Sequence, residues 1–563
     1  MNSRVLSIKM EDASEATTTS MKILNHLTEK YDFDPVQPSQ LINKFGYSMS
    51  LQGRDELLQE TKKLYDTRWG NRFEKDRNVH KVGIIGGCSG IGKSRALIEI
   101  ANSVQYWKTA AQWSFEIVIS YNNGNPPTTD RRLFESRAST ALALRLLYFS
   151  FVANKKFGVS FETFVSSFPR MILDVLTPEI AIEVIGSYMS ERNGNEDGVI
   201  FIGLDEANYL LDPGYTGEEE KRTFLKQTLI ALGSIMLLHS RFVFAVVAGT
   251  TVLPIHTVFS QSGLQIQPLP IKLLRGEHCE TIVAEMASMA LMSSSWAQWR
   301  TCRAFRTLLA DFGSMPRQAE ELLRYVNDEV SIGTALVEID YHMIYCRLIG
   351  THPPSTMSAK LAERIVSDIM LGTHIRRDEL VDSLESSFTY GALESLGMLV
   401  LETSVDTHLT VKMPYSQFRL LVQKMDGSDT LTKSLRKICV QMQHEGFGLN
   451  WQNFEDLHCH VEASREMLIA RREPDRPCSV EDFYCVANAP NDFDFVLRRC
   501  CDVVTSASRF PSEAWDVLVD DDPIRKDTTG KPLNGSTSYI KNAPGAAFDI
   551  THCPELYHRE QWI

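Results

Sequence analysis

Residues Gly86 to Ser94 read GGCSGIGKS. From Gly87 onward they fit G-x-x-x-x-G-K-[ST] at every fixed position. Such a loop suits phosphate. Glycines allow tight turns that aim successive backbone N–H groups inward, and a helix opening at the end adds its positive N-terminal dipole. The flanks agree: "KVGIIGG" before the loop is a short apolar run, and "KSRALIEIANSV" after it has helical periodicity. The pattern assigns Gly87, Cys88, Ser89, Gly90, Ile91 and Gly92 to the cradle, with Arg95 in the first helical turn beside them. Lys93 is placed to reach β- and γ-phosphates, and Ser94 to turn its hydroxyl to Mg²⁺. The plainer alternative is an ordinary glycine-rich turn between a strand and a helix.

Three further stretches extend the site. In "VIFIGLDEAN" an apolar strand ends in Asp205 and Glu206. A carboxylate at such a tip holds Mg²⁺ directly or through water, and Glu206 suits a base that orients an attacking water. The alternative is a strand end followed by acidic loop residues. "AVVAGTT" puts Thr250 at the end of another strand, where a hydroxyl can sense the γ-phosphate; a threonine-rich strand end is the bland reading. In "FGSMPRQAEELL", Gly313 and Pro316 mark a helix start with Arg317 in its first turn. An arginine in a helical lid can stabilise transition-state charge; otherwise Arg317 is a surface residue.

The order of elements gives the fold class. "KVGIIGG", "FEIVISYNN", "GVIFIGLDEA" and "RFVFAVVAGTT" are apolar strands separated by helical stretches, and a last strand falls within Leu264–Leu273, at an edge because of its prolines. Strands alternating with helices predict an α/β fold with a parallel sheet covered on both faces, here a P-loop NTPase core over 51–275. Residues 1–50 read as a loosely ordered N-terminal extension, and 276–375 as a helical lid. At 376–415, "RDELVDSLESSF" and "YGALESLG" read as helices ahead of a two-stranded hairpin, a winged-helix-like module or else an irregular α/β connector. Residues 416–563 start helical and become loop-rich, with "DDDPIRKDTTGKPLNGSTS" as a linker or long loop.

Bulk properties narrow the class. The 563 residues suffice for three or four domains of ~100–150 residues each. A net charge of −13 argues against a surface built throughout for nucleic acid, without excluding a local basic groove. The 11 cysteines are scattered with no CxxC pair, as for reduced thiols in an intracellular protein of cytoplasm or nucleus. No signal peptide or membrane-span pattern is seen, so no membrane partner is expected. "HCH" at 458–460 lacks a partner pair at metal-binding spacing, and Cys500-Cys501 reads as packing. Cys88, inside the loop, is a point where thiol modification would block nucleotide.

Taken together, "GRDELL", "GGCSGIGKS", "LDEAN", "AGTT" and "GSMPR" resemble the P-loop ATPases of the STAND/AAA-like branch. More narrowly, "ISYNNGNPPTTD" and "GSMPRQAEEL" resemble the ATPase of crinkler effectors and trypanosome retrotransposon-hot-spot proteins, over roughly Gly53 to Pro414. The resemblance implies a five-stranded core sheet, ATP with Mg²⁺, and a self-associating or switch-like ATPase. It also implies that Arg54 lies near the nucleotide and that Arg131 or Arg132 makes an inter-subunit contact. Such proteins often carry a C-terminal restriction-endonuclease-like domain. "NAPGAAFDI" looks like its first half, with Asp549 as metal ligand; Glu560 or Gln561 would open the second, but no lysine follows, leaving the set incomplete.

The expected function is therefore Mg²⁺-dependent ATP hydrolysis in a switch ATPase. The alternatives are a nucleotide-binding interaction scaffold that does not hydrolyse, and a nuclease regulated by its ATPase. Which protein or nucleic-acid partner such a cycle drives has no signal in the residues.

Overall fold

The computed structural model describes residues 19–31, 49–74, 76–107, 111–121, 138–153, 159–211, 218–238, 240–250, 265–289, 296, 298–350, 357–382, 388–403, 409–445, 460–461, 464–465, 467–469, 471–472, 477–479, 494–496, 501–505, 537–541 and 550–554. The chain clusters into two units, residues 1–274 with 394–397, and residues 275–393 with 398–563.

The first unit is built on a five-stranded sheet in the order β2-β3-β4-β1-β5. Its strands are β1 (Val82–Gly86), β2 (Trp113–Ser120), β3 (Gly198–Asp205), β4 (Phe242–Gly249) and β5 (Ile266–Leu269), and every pairing is parallel. β3 and β4 are buried along their whole length, which is why they read as unbroken apolar runs rather than alternating ones. Among the described strands β5 pairs with β1 alone, and it carries Pro268, which has no N–H to give a second neighbour. This is the edge position expected of it.

Helices cover both faces. Ile200, Ile202 and Leu204 of β3 join a core with α1 (19–30), α4 (Ala138–Phe151), α7 (Pro178–Asn193) and α8 (Glu218–Met236). The opposite face meets α2 (Asp55–Gly70) and α3 (Lys93–Trp107): Tyr65 of α2 stands edge-on to Phe244, with ring centroids 5.4 Å apart. Two short helices, α5 (Phe161–Ser166) and α6 (Arg170–Val175), precede α7. Local chemistry fixes the ends of α7. Thr177 Oγ1 accepts the Ile180 N–H, Pro178 opens the first turn, and Gly194 closes the helix at φ 66°. α1 departs from the loosely ordered lead expected over 1–50. Its Ile23, Leu24 and Leu27 recur at helical spacing and are buried in the core.

The second unit begins with α9 (Gly276–Met289), α10 (Arg303–Phe312), α11 (Pro316–Ser331) and α12 (Tyr341–Gly350). α13 (Ala359–Leu371) is capped by Ser358, whose Oγ accepts the Leu361 N–H. Then come β6 (His374–Ile375), α14 (Tyr390–Ser395), β7 (Val400–Thr403) and β8 (Leu409–Lys412), the strands forming an antiparallel sheet β6-β8-β7. The helix expected over 377–388 does not form where the chain is described. Residues 377–379 turn, and Leu380 bridges to Thr389 instead. α15 (Tyr415–Lys424) and α16 (Thr430–Glu445) confirm the helical start of the C-terminal region. Beyond them, β9 (Pro477–Ser479) pairs with β10 (Asp494–Val496), and β11 (Cys501–Thr505), β12 (Thr537–Lys541) and β13 (Ile550–Pro554) form a small mixed sheet. Arg131, Arg132, Thr251, Asp549, Glu560 and Gln561 lie outside the described residues.

The start of β3 is a tight point. A Cβ on Gly198 would stand 2.0 Å from the Trp113 ring, which is held by an Nε1–H bond to the Asn195 carbonyl. Gly198→Ala should therefore force the ring or strand aside and destabilise by about 1–3 kcal/mol, read as a lowered midpoint in chemical denaturation; an unchanged midpoint would contradict this packing.

Candidate active site

β1 runs straight into the phosphate-type loop, and α3 begins at Lys93 itself. Gly90 and Gly92 have φ of 86° and 99°, a region that L side chains avoid, so the glycine spacing is a backbone requirement. Loop N–H groups and the helix N-terminus are thereby brought to one place, the arrangement that binds anions. The Ile91 carbonyl accepts Arg54 Nη2 at 2.8 Å, while Arg54 Nη1 donates to the Lys272 carbonyl at 2.7 Å. Arg54 is buried, which pushes its guanidinium down to about 10. It braces the loop from the position just ahead of α2.

Lys93 is 4% exposed. Its ammonium donates to the carbonyls of Gly87 and Cys88 at 3.0 and 2.9 Å. Burial lowers its pKa, with the nearby Glu206 carboxylate opposing. Ser94, one residue on, donates its hydroxyl to Asp205 Oδ2 at 2.7 Å, joining the start of α3 to the tip of β3.

Asp205 is 2% exposed, and burial raises its carboxyl to about 6 despite the Ser94 hydrogen bond. Its Oδ1 is buried and makes no hydrogen bond to any described residue. An orphaned buried oxygen beside a hydroxyl is a fitting place for a hard cation, so Ser94 and Asp205 fit Mg²⁺. Among the described residues no cluster of three or more His, Cys, Asp or Glu could hold a metal. Mg²⁺ ordinarily needs none, since it takes one or two carboxylates together with phosphate oxygens and water.

Glu206 follows at φ 56°, the one positive φ outside glycine among the described residues. That backbone costs roughly 1 kcal/mol. It sets Glu206 just past the strand, half-buried, where its charge acts on both Lys93 and Asp205. Thr250 closes β4, which lies between β3 and β1, so its place in the sheet is between the carboxylate tip and the loop. Its N–H donates to Asn208 Oδ1 at 3.1 Å. Asn208 is the residue that sequence reasoning left without a role. Its signal was a polar side chain on the turn directly after Asp205-Glu206.

Other expected residues are placed differently. Arg95 turns to Glu99 at 2.7 Å and to the Met49 carbonyl at 3.3 Å. Cys88 is fully buried and its thiol is pushed up to about 12 by burial, so it is not the reactive point expected. Arg317 belongs to the second unit, where its side chain is 68% exposed and lies 3.6 Å from Glu321. His460 is buried, its Nδ1 paired with Ser434 Oγ at 2.9 Å.

The raised Asp205 carboxyl has a signed consequence for the metal-free protein. Between about pH 3.8 and 6 the folded state holds a proton that the unfolded chain has lost, so ionisation of Asp205 lowers stability as pH rises through this window. Asp205→Asn should thus stabilise metal-free protein at pH 7 by about 1–3 kcal/mol, and the gain should vanish near pH 4. Denaturation midpoints across pH check this; a pH-independent difference would contradict it.

No family model matches the chain, and no curated protein does. Among solved structures it is similar to the Aeropyrum pernix ORC2 protein in its ADPNP–ADP complexes, at 13% identity and a TM-score of 0.36, covering 67% of this chain and 94% of that one. It is also similar to Cdc6p from Pyrobaculum aerophilum, at 14% identity and 0.31, covering 68% and 97%. A third is a point variant of RuvB from Thermotoga maritima, at 14% and 0.29, covering 65% and 96%. Likeness at this level names no family for the chain. The strand order, the loop and the Ser94–Asp205 pair give it the α/β fold of a P-loop nucleotide-binding protein.

Proposed function

We propose that this chain binds ATP and hydrolyses it with Mg²⁺. The observation that carries the reading is the Ser94–Asp205 hydrogen bond of 2.7 Å, which joins the two halves of a nucleotide–metal site with Glu206 adjoining. The loop N–H groups from Gly87 to Gly92 and the Lys93 ammonium bind phosphate oxygens. Lys93 exchanges its two loop carbonyls for them, trading neutral acceptors for charged ones. Ser94 and Asp205 hold Mg²⁺, which when bound neutralises charge on the β- and γ-phosphates.

Glu206 orients the attacking water and takes its proton at a carboxylate oxygen. Thr250, fixed through its N–H by Asn208, senses the γ-phosphate from the strand between. The motif resemblance supports a switch-type ATPase that associates with further copies of itself, over a scaffold or a nuclease. What supports it are the motifs "GSMPRQAEEL" and "LDEAN" in the sequence.

Steady-state hydrolysis and equilibrium binding of ATP by the full chain test the proposal. Lys93→Ala should weaken ATP binding by about tenfold or more. Glu206→Gln should bind ATP as before and lose roughly a hundredfold in turnover. A wild type that binds ATP yet turns over no faster than Glu206→Gln would replace hydrolysis by the scaffold reading. Absence of binding would remove the nucleotide site.

A further inference from the structure

One stretch of the first unit comes from far along the chain. Residues Glu394–Gly397 follow the helices of 276–371 in sequence, yet they cluster with the phosphate loop and its sheet. They form the end of α14 and the turn after it. The Gly397 N–H donates to the Glu394 carbonyl and the Met398 N–H to the Leu393 carbonyl, each at 3.0 Å, with Gly397 at φ 76°. This is a glycine cap, and it fixes the shape of the turn.

The turn lies on two parts of the nucleotide site. A Cβ on Gly397 would stand 3.8 Å from Ser89 Cβ and 3.9 Å from Ser89 N, so this glycine packs on the middle of the phosphate loop. Ser395 Oγ donates to the Thr250 carbonyl at 3.4 Å, just past β4. Glu394 is 2% exposed, and its negative charge favours the protonated forms of both Lys93 and Cys88.

A carboxylate is buried at low cost only near a cation. In the nucleotide-free chain Lys93 is that cation, and Glu394 brings negative charge to an ammonium whose hydrogen bonds go to two neutral carbonyls. Phosphates reverse the sign. A nucleotide brings several negative charges to the same ammonium, and a carboxylate shut in with them is repelled. Both contacts of the turn are soft. A hydroxyl bond of 3.4 Å is long, and 3.8 Å is ordinary van der Waals distance.

We propose that Glu394–Gly397 is an autoinhibitory plug: the Glu394 carboxylate stands in for phosphate at the empty loop, and nucleotide binds only when the turn lifts away. The proposal rests on the nucleotide reading of this site. Measured affinity is then weaker than intrinsic affinity by the fraction of chains with the turn lifted.

Calorimetric titration of the full chain with MgATP tests the plug, in wild type, Lys93→Ala, Glu394→Gln and Gly397→Val. Glu394→Gln removes the charge and keeps the shape. Gly397→Val puts a β-branched side chain at positive φ and weakens the cap without touching the charge. Each should tighten MgATP binding by about tenfold or more, the value for a turn held down in roughly nine chains of ten. Thermal unfolding shows which of the two is folded, and either one decides. In Ser395→Cys, maleimide labelling of that residue, read by mass spectrometry of its peptide, should speed up about threefold or more with MgATP. Wild type that binds MgATP through Lys93 while the turn variants bind it equally or more weakly overturns the plug and leaves the nucleotide site standing. Labelling unchanged by MgATP in a chain that binds it does the same. Binding by the turn variants alone, lost again when Lys93→Ala is combined with them, supports the plug. No binding by any chain removes the nucleotide reading, and the plug with it.

Discussion

Two buried charges of opposite sign, neither adequately served by the protein, set the character of the first unit. Among the described residues Lys93 has two carbonyls of its own loop for an ammonium with three donors. Asp205 has one hydroxyl on one oxygen and nothing among the described residues on the other. Burial therefore pushes both toward their neutral forms, Lys93 down and Asp205 up. A direct pair would quench both. Instead Ser94 stands against Asp205 and the loop carbonyls against Lys93, so each keeps unsatisfied capacity. A polyanion with a divalent cation has the matching deficit. Its oxygens suit the ammonium, and its metal suits the orphaned carboxylate oxygen.

The sheet makes that arrangement possible. Parallel strands buried on both faces end along one edge, and their connections must leave from there. With the order β2-β3-β4-β1-β5, the ends of β3, β4 and β1 are adjacent, so Asp205, Thr250 and the Gly87 loop meet although they are far apart in sequence. Tyr65, Phe244 and Arg68 show how firmly the covering helix is set. Arg68 is fully buried, stacked 5.5 and 5.8 Å from the centres of Phe242 and Phe244, and donates to the Met236 carbonyl. A loop carrying strained glycines and Glu206 at positive φ needs such a support, because strain persists only where the surroundings over-determine it.

Much of this was legible because it is local. A strand buried on both faces is an apolar run, and a phosphate loop is a short string with two fixed ends, so β1, β3, β4 and Gly87–Ser94 are visible in the residues themselves. The edge strand was marked by Pro268, and α11 by Pro316. What escaped notice depended on distance or on competing local choices. α1 lies within a polar, Ser/Thr-bearing lead, and burial of Ile23, Leu24 and Leu27 in a core built from residues far along the chain, such as Phe164 and Phe168, makes it a helix. The stretch from Arg377 has helical spacing but turns back early, because Glu379 accepts the Arg376 N–H at 3.1 Å and its carbonyl takes the Tyr390 N–H. Cys88 looked reactive from its position alone; burial decides otherwise.

Arg419 marks the limit of sequence reading most clearly. Lys93 and Asp205 stand inside motifs, so their unsatisfied capacity could be foreseen from the chemistry the motif serves. Arg419 and Asp311 are 108 residues apart on helices with ordinary amphipathic patterns, and neither position is unusual until the fold buries both. A helix can carry an arginine on its inner face only where something repays the lost hydration. At Asp368 that repayment is visible as three donors around one carboxylate. At Arg419 it is the Asp311 carboxylate 3.3 Å away together with the ring and hydroxyl of Tyr345. The two units thus share a physical feature, a buried cation. In the first unit a motif announces it; in the second only the fold does, by bringing Asp311 and Tyr345 to Arg419.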